Sequence, residues 1–230
     1  YGQKWSDPAL TRIRLNIVMP TTDLDRYIAA RLLQADLSAI DTHFSEVGIS
    51  DMAGIVCLKN AFLALANMVD FERTVRDLYK EHKTLSAVFS ENQRNYEFAK
   101  YLRNKLVGHI HSELIEKAIE WKPELRYLAA HMDDQKVMLM VNIFVLETAI
   151  NTYVGEDGKH KVFESETDLV YPPDWKRFDD YLEVSIRSAI HYLGDLCGVL
   201  SAAIDHPAPD QFDFELWAKA GRTDFDFLKK

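Results

Sequence analysis

Cysteine is scarce in this sequence, and long uninterrupted apolar stretches are missing from it. The two cysteines, Cys57 and Cys197, each lie in an apolar stretch with helical spacing, which favours two buried, reduced thiols over a disulfide or a metal pair. We find no run of about 18 apolar residues that could cross a bilayer, and no basic-then-apolar leader before a small-residue cleavage site. Together these features predict a cytoplasmic protein without a membrane partner.

Basic residues are also in deficit. The chain has 27 lysines and arginines against 36 acidic residues, a formal net charge of −9, which argues against broad, nonspecific attraction to nucleic acid. Residues 94–111 depart from this balance, because they contain four basic residues against Glu97 alone: Arg94, Lys100, Arg103 and Lys105. The local excess of positive charge marks this segment as a candidate site.

The common catalytic signatures are absent as well. The sequence has no glycine-rich phosphate loop, no His-Glu-x-x-His, no paired Cys-x-x-Cys and no Gly-x-Ser-x-Gly, which removes many classes of enzyme. His109 and His111 are two residues apart, a spacing that puts them on different faces of a helix and argues against a metal pair. The sequence therefore predicts neither a metal nor a cofactor.

What is present is an ordinary globular composition, with 47% hydrophobic and 27% charged residues. A chain of 230 residues can build a substantial core without disulfide bonds or a structural metal. Apolar residues recur at spacings of three and four over most of its length, which indicates an all-α fold: an up-and-down bundle of four to six long antiparallel helices.

Capping residues and breakers divide this pattern into helices. The first predicted helix begins at residues 21–23 and ends at Gly48, and the next begins at Ser50 or Asp51 and continues towards Tyr79. Another helix follows Asn92. A central helix occupies residues 137–153, and the last long helix runs from Asp174 to Ile204. The segment 72–83 reads either as a solvated continuation of the second helix or as a second short piece, and Pro123 starts a further helical region.

Three segments fall outside the helical pattern. Residues 155–173, with Gly155, Gly158 and the pair Pro172-Pro173, predict a loop or small hairpin. Residues 1–21 form an N-terminal arm and residues 22–204 the bundle domain. Residues 205–230 form an acidic, aromatic tail that we expect to pack on the bundle or on a partner subunit.

The most informative local pattern is Arg103-Asn104-x-x-x-Gly108-His109. The spacing alone is not specific, since Arg76…His82 and Arg126…His131 also satisfy it. Arg103…His109 differs in context: an apolar helical stripe leads into it, an asparagine follows the arginine, a glycine precedes the histidine, and the local charge is positive. Arg76…His82 lies in an acidic run typical of a solvated helix face.

The pattern resembles the Arg-x(4–6)-His motif of the HEPN superfamily, in which a polar residue commonly follows the arginine and the motif lies near the end of a helix in a bundle. The abortive-infection type is the most similar subgroup. The resemblance covers roughly residues 22–153. It implies metal-independent cleavage of single-stranded RNA by attack of the ribose 2′-hydroxyl in the groove of a homodimer, in a phage-defence or toxin protein that can have an antitoxin partner.

The resemblance also implies roles for individual residues. His109 would transfer protons, Arg103 would bind the phosphate, and Asn104 would orient either of them. Lys105 and Lys100 would contribute to substrate binding. A six-residue offset on a straight helix rotates by roughly 600°, so we expect a bend or helix end at Gly108 to turn His109 back towards Arg103.

Two other functions remain open at this point. A noncatalytic helical binding module, a degenerate relative of the same superfamily, would keep the fold but bury His109 or separate the two motifs. An unrelated helical enzyme or ligand-binding protein would have its pocket elsewhere. The purely structural interpretation is an arginine in a cap or ion pair, next to a histidine that interacts with a helix C-terminus.

Overall fold

The computed structural model describes residues 22–109 and 111–204, together with residue 218. Within these residues it contains no strand and eight α-helices, so the predicted all-α class is confirmed. The helices are α1 (Thr22–Glu46), α2 (Met52–Glu72), α3 (Lys83–Glu91), α4 (Gln93–Leu102), α5 (Ser112–Trp121), α6 (Leu125–Leu128), α7 (Gln135–Asn151) and α8 (Pro172–Ala203). The predictions for the arm (1–21) and for the tail (205–230) lie outside the described residues.

The first two helices end and begin where local chemistry requires it. Gly48 has a positive φ of 71°, a conformation that glycine adopts without a steric penalty, and it terminates α1. The Asp51 side chain accepts a hydrogen bond from the Gly54 amide at 2.9 Å, which caps α2 as the sequence predicted. After α2 the chain forms a separate 3₁₀ turn, Arg76–Lys80, rather than a continuous helix.

The number of helices was underestimated. Helices α3 and α5 were not predicted, and the short helices raise the total above the expected four to six. The start of α8 was also misplaced: Tyr171 is its N-cap residue and Pro172 lies in its first turn, where the missing proline N–H costs nothing. Asp174 accepts a hydrogen bond from the Asp168 amide at 2.8 Å, so it anchors the preceding loop instead of capping the helix.

The core lies between α2 and α8, with α1 and α4 packed against them. Helix α1 runs antiparallel to α8, as shown by Gln34 donating to the Ile190 carbonyl at 3.4 Å and Arg187 donating to Asp41 at 3.2 Å. The largest fully buried side chains are Tyr96, Tyr192, Phe62, Phe98 and Phe178. Their burial on several helices at once makes residues 22–204 one packed unit.

Helix α7 is less central than its sequence indicated. Residues 144–150 are buried, but 137–143 are only half-buried although most of them are apolar. A helix that is apolar on all sides is normally enclosed. Here that holds only for the C-terminal half, which packs beside α5 and close to the end of α4.

The segment between α7 and α8 is a loop held by side chains, and the expected hairpin reduces to one antiparallel bridge between Val154 and His160. Asn151 donates to the Thr167 carbonyl and accepts from the Thr167 amide, both at 2.8 Å. His160 is buried and bonds the Ile150 carbonyl. These side-chain bonds replace the ladder that a hairpin would have formed.

Among the described residues, α2 is the one helix long and apolar enough to cross a membrane, although Lys59, Asn60 and Asn67 interrupt its apolar sequence. More than half of this segment is buried inside the fold, as in core helices of globular proteins. Cys57 and Cys197 are both free thiols, and burial raises the pKa of each.

Candidate functional site

Helix α4 ends in a π-turn, and the candidate motif begins in it. Residues Arg103–Val107 form this turn, which closes with a hydrogen bond of 2.8 Å from the Gly108 amide to the Arg103 carbonyl. Such single π-turns are rare and occur frequently at functional sites. The turn packs against α2 and α7, and the helix stops directly before His109.

The break at Gly108 has a different cause from the one expected. Gly108 has φ −67° and ψ −44°, an ordinary helical conformation that any residue can adopt. The wider π-turn, and not glycine's freedom at positive φ, ends the helix here. What glycine provides is space: a Cβ atom at this position would lie 3.7 Å from Arg103 Nη1 and 3.9 Å from Cζ.

The Arg103 side chain therefore folds over the end of its own helix, against the residue that precedes His109. Its Nη1 donates to Asn104 Oδ1 at 3.0 Å, so Asn104 orients the guanidinium. The Nε atom is buried and has no hydrogen-bond partner. No ion pair neutralises Arg103 within the part of the chain that the structure describes, which leaves donors free for an anion.

His109 is exposed, and a second imidazole lies close to it. The ring centroids of His109 and His111 are 6.2 Å apart in an edge-on arrangement. His111 Nε2 lies 3.3 Å from the Asn104 carbonyl oxygen. Because a carbonyl can only accept, Nε2 carries the proton and Nδ1 is the free nitrogen. The sequence analysis considered His111 only as half of an unlikely metal pair, and the spacing gave no sign of its link to Asn104.

The two lysines that were expected to bind substrate have different environments. Lys100 donates to Asp70 of α2 at 2.6 Å, so its charge is already partnered. Lys105 lies over the Tyr101 ring at 5.8 Å from the centroid, an arrangement that leaves its ammonium group able to bind a phosphate. Of the two, Lys105 is the better placed for a ligand at Arg103.

The two competing motifs, Arg76…His82 and Arg126…His131, have surroundings that differ from those of Arg103…His109. The Arg76 guanidinium binds both carboxylate oxygens of the buried Glu72 at 2.8–3.0 Å, and this bidentate pair uses the donors that a phosphate would need. Arg126 and His131 lie on an exposed helical segment. The charge environment therefore separates Arg103 from Arg76, whereas Arg126 also has no ion pair within residues 22–109 and 111–204 and differs from Arg103 in lying on a short helix and not in a π-turn.

A cleft lies away from Arg103, between α5, the end of α7 and the following loop. This cleft of about 890 Å³ contains a buried ion pair, in which Lys122 Nζ lies 2.6 Å from Glu147 Oε1. Burial raises the pKa of Glu147, while Lys122 and the Leu169 amide oppose that rise. The acid-within-apolar sequence Val145-Leu146-Glu147 was the available signal for this pair, and it was overlooked.

No group of three or more His, Cys, Asp or Glu side chains that could hold a metal ion occurs in residues 22–109 and 111–204. The arrangement at Arg103 instead offers proton-transfer groups and cationic hydrogen-bond donors. Comparison of the chain with models of protein families, with curated proteins and with solved structures found no match.

Proposed function

We propose that this protein is a HEPN-like, metal-independent endoribonuclease that cleaves single-stranded RNA. The observation that supports this most directly is the position of the unneutralised Arg103 guanidinium, folded against Gly108 directly before the exposed His109. A fork that binds anions and an imidazole are the pair of groups that cleavage of a phosphodiester needs, and here the fork packs on the glycine that precedes the imidazole-bearing residue.

The reaction is an internal transfer at phosphorus. The ribose 2′-oxygen forms a bond to phosphorus, and the bond to the 5′-oxygen of the next nucleotide breaks. A base takes the proton of the 2′-hydroxyl and an acid protonates the leaving 5′-oxygen, so the products are a 2′,3′-cyclic phosphate and a 5′-hydroxyl. No water or metal is consumed.

Each residue has one role in this step. His109 exchanges a proton with the attacking or the leaving oxygen, which typically contributes about 10²–10⁴ in rate. Arg103 binds the nonbridging oxygens and offsets their growing charge. Asn104 holds Arg103 by the 3.0 Å bond, and Lys105 adds a second cation. Lys100 contributes only long-range charge because Asp70 pairs with it.

The proposal extends to the assembly. The site is a composite of Arg103, Asn104 and His109 from two subunits of a homodimer, and the protein is a cytoplasmic toxin or phage-defence component with an antitoxin or other protein partner. The exposure of Asn104, Gly108 and His109 is compatible with a second subunit that completes the site.

The decisive experiment compares His109→Ala with a matched histidine variant, His131→Ala, from the exposed Arg126…His131 segment. We expect His109→Ala to cut a single-stranded RNA about 10²–10⁴ times more slowly than the parent, and His131→Ala to cut like the parent. The readout is product formation on a denaturing gel, in the presence of a chelator. If His109→Ala cuts as fast as the parent, the assignment is wrong.

A further inference from the structure

A band of aromatic and basic side chains leads away from the candidate site along α4 to the loop that follows α7. We define this basic-aromatic band as Arg94, Tyr101, Lys105, Tyr153, Lys159 and Lys161. Its first cation, Lys105, lies in the π-turn two residues after Arg103. The band therefore begins in the same turn of the chain as the candidate site.

Two tyrosines form the middle of the band. The rings of Tyr101 and Tyr153 lie side by side, with centroids 4.6 Å apart, and the Tyr101 hydroxyl donates to Thr152 Oγ1 at 2.9 Å, which fixes one ring beside the other. The inner face of Tyr153 stacks on the buried Phe98 with centroids 4.9 Å apart. Tyr153 also lines an open cleft of about 700 Å³.

A lysine lies over each of these rings. Lys105 Nζ is 5.8 Å from the Tyr101 centroid and Lys161 Nζ is 5.1 Å from the Tyr153 centroid. Tyr101, Lys105 and Tyr153 are half-buried and Lys161 is exposed. Contacts of this kind are worth about 1–2 kcal/mol, so a flat ligand that stacks on a ring can displace the ammonium group from it. The displaced ammonium groups would then be beside the ligand and free to bind its phosphates.

Positive charge continues into the cleft beside Tyr153, where Arg94, Lys159 and Lys161 face Asp157 and Glu164. Asp157 already accepts a hydrogen bond from the Lys159 amide at 3.1 Å. Burial raises the pKa of Tyr153; the Glu97 carboxylate adds to that shift and the Arg94 guanidinium opposes it, which indicates that both charged groups lie near the phenol. The cleft and Glu97 together hold three cations against three carboxylates, and Lys105 over the neighbouring Tyr101 ring adds a fourth cation.

We propose that the basic-aromatic band binds single-stranded RNA as an extension of the Arg103 site, with bases stacked on Tyr101 and Tyr153 and phosphates bound by Lys105, Lys161 and Arg94. Alternation of stacking platforms with cations is how proteins bind single strands without reading sequence. A duplex fits poorly, because its bases are already stacked on each other. The choice of RNA rests on the proposed ribonuclease function; the binding of a single strand rests on the band itself.

The test measures binding in a His109→Ala background, which prevents cleavage. The probe is a fluorescent oligouridylate of about 12 nucleotides, within the range that single-strand-binding sites occupy. We expect Tyr153→Leu to weaken binding about ten-fold, because one stacked base is lost. We expect Lys161→Ala to lower the slope of log affinity against log salt by about 0.7, because one phosphate contact is lost.

The chain offers a matched control for each variant. Lys117 also lies over an aromatic ring, that of Trp121, at 5.4 Å, but outside the band. Tyr127 is 81% exposed and also outside it. We expect Lys117→Ala and Tyr127→Leu to bind the probe like the parent. A strand of the same length without bases should bind the parent more weakly, and Tyr153→Leu should reduce that difference.

The band is ruled out if the probe does not bind, if Lys161→Ala and Tyr153→Leu bind like their controls, or if an RNA duplex binds as tightly as the single strand. Melting curves of each variant separate loss of binding from loss of folding. This failure is distinguishable from failure of the nuclease proposal. Cleavage that depends on His109 but not on the band would leave the nuclease intact, whereas a band that binds RNA without any cleavage would leave only the binding surface.

Discussion

At the scale of single residues, what separates a candidate catalytic arginine from a structural one is the partner of its guanidinium. Arg76 and Arg103 have similar sequence spacing to a following histidine. Arg76 binds the buried Glu72 through two hydrogen-bond donors, and removing that partner would leave an unpaired charge. Within residues 22–109 and 111–204 the Arg103 side chain bonds only the neutral Asn104 amide, so it can bind an anion without breaking an ion pair to any of these residues.

His160 is the residue whose protonation should affect stability. Burial lowers its pKa, with smaller effects from Arg177 and Arg94. Its Nε2 donates to the Ile150 carbonyl, while Nδ1 accepts from the amides of Val162 and Phe163. A proton on Nδ1 would remove the acceptor for both amides. The folded protein therefore resists protonation of this ring.

The lowered pKa of His160 determines whether stability rises or falls with pH. The unfolded chain takes up a proton near pH 6.5, whereas the folded chain does so only at lower pH. Between those values the unfolded state binds more protons, so stability falls as pH decreases below about 6.5. We expect the melting temperature of the parent to decrease more between pH 7.5 and 5.5 than that of His160→Gln.

The control for this prediction is His131→Gln, a substitution at an exposed position, which should keep the parental acid dependence. We also expect His160→Gln to be less stable than the parent at pH 7.5, by about 1–3 kcal/mol, because buried amides lose their acceptor. If the melting temperatures of the parent and of His160→Gln decrease equally between pH 7.5 and 5.5, protonation of His160 does not affect stability in this range.

At the scale of elements, the π-turn at the end of α4 is the feature that matters most for the site. It adds one residue to the last turn, so that Gly108 bonds to Arg103 across five residues instead of four. An ordinary α-helical end would have changed the direction of both the Arg103 side chain and the chain at His109. The turn therefore sets the geometry of the motif, and the glycine leaves room for the guanidinium.

Substitutions of Gly108 test this division of roles. In Gly108→Ala the new methyl group would make ordinary contacts of 3.6–3.9 Å with Arg103, and the backbone is already helical. We expect unchanged or increased stability, by up to about 1 kcal/mol, and cleavage close to that of the parent.

Gly108→Val should behave differently, because its branched side chain would occupy the space of the guanidinium. We expect folding to be retained and cleavage to fall at least about ten-fold, because Arg103 is no longer positioned for phosphate. Melting curves and initial cleavage rates measure the two effects. Equal rates for the valine and alanine variants would contradict the proposed contact between Arg103 and Gly108.

At the scale of the whole molecule, the proposed composite site requires two chains. A composite site predicts that activity per chain depends on protein concentration, because dissociation into monomers separates its halves. We expect a dimer by analytical ultracentrifugation and a steep loss of cleavage per chain on dilution below its dissociation constant. A monomer with constant activity per chain would refute the composite site, while a single-chain Arg103–His109 site would survive.

The sequence alone was sufficient for the fold class, whereas the choice of the Arg103…His109 motif stays a prediction that the cleavage assay tests. Helical periodicity is a local property, so it predicted the all-α fold, and the caps at Gly48 and Asp51 were found because each acts within its own turn. The charge balance of residues 94–111 is equally local. The short helices α3 and α5 escaped prediction because segments of 9–10 residues are stabilised mainly by tertiary packing.

Tertiary structure decided everything that depends on residues distant in sequence. It paired Lys100 with Asp70 and Lys122 with Glu147, and it brought Tyr101 beside Tyr153. Of the loop or small hairpin predicted for residues 155–173, it formed a loop bonded to Asn151 and His160. Sequence patterns report what neighbouring residues prefer, whereas contacts between helices depend on how the whole chain packs; for that reason the sequence predicted the helical fold but not the contacts between its helices.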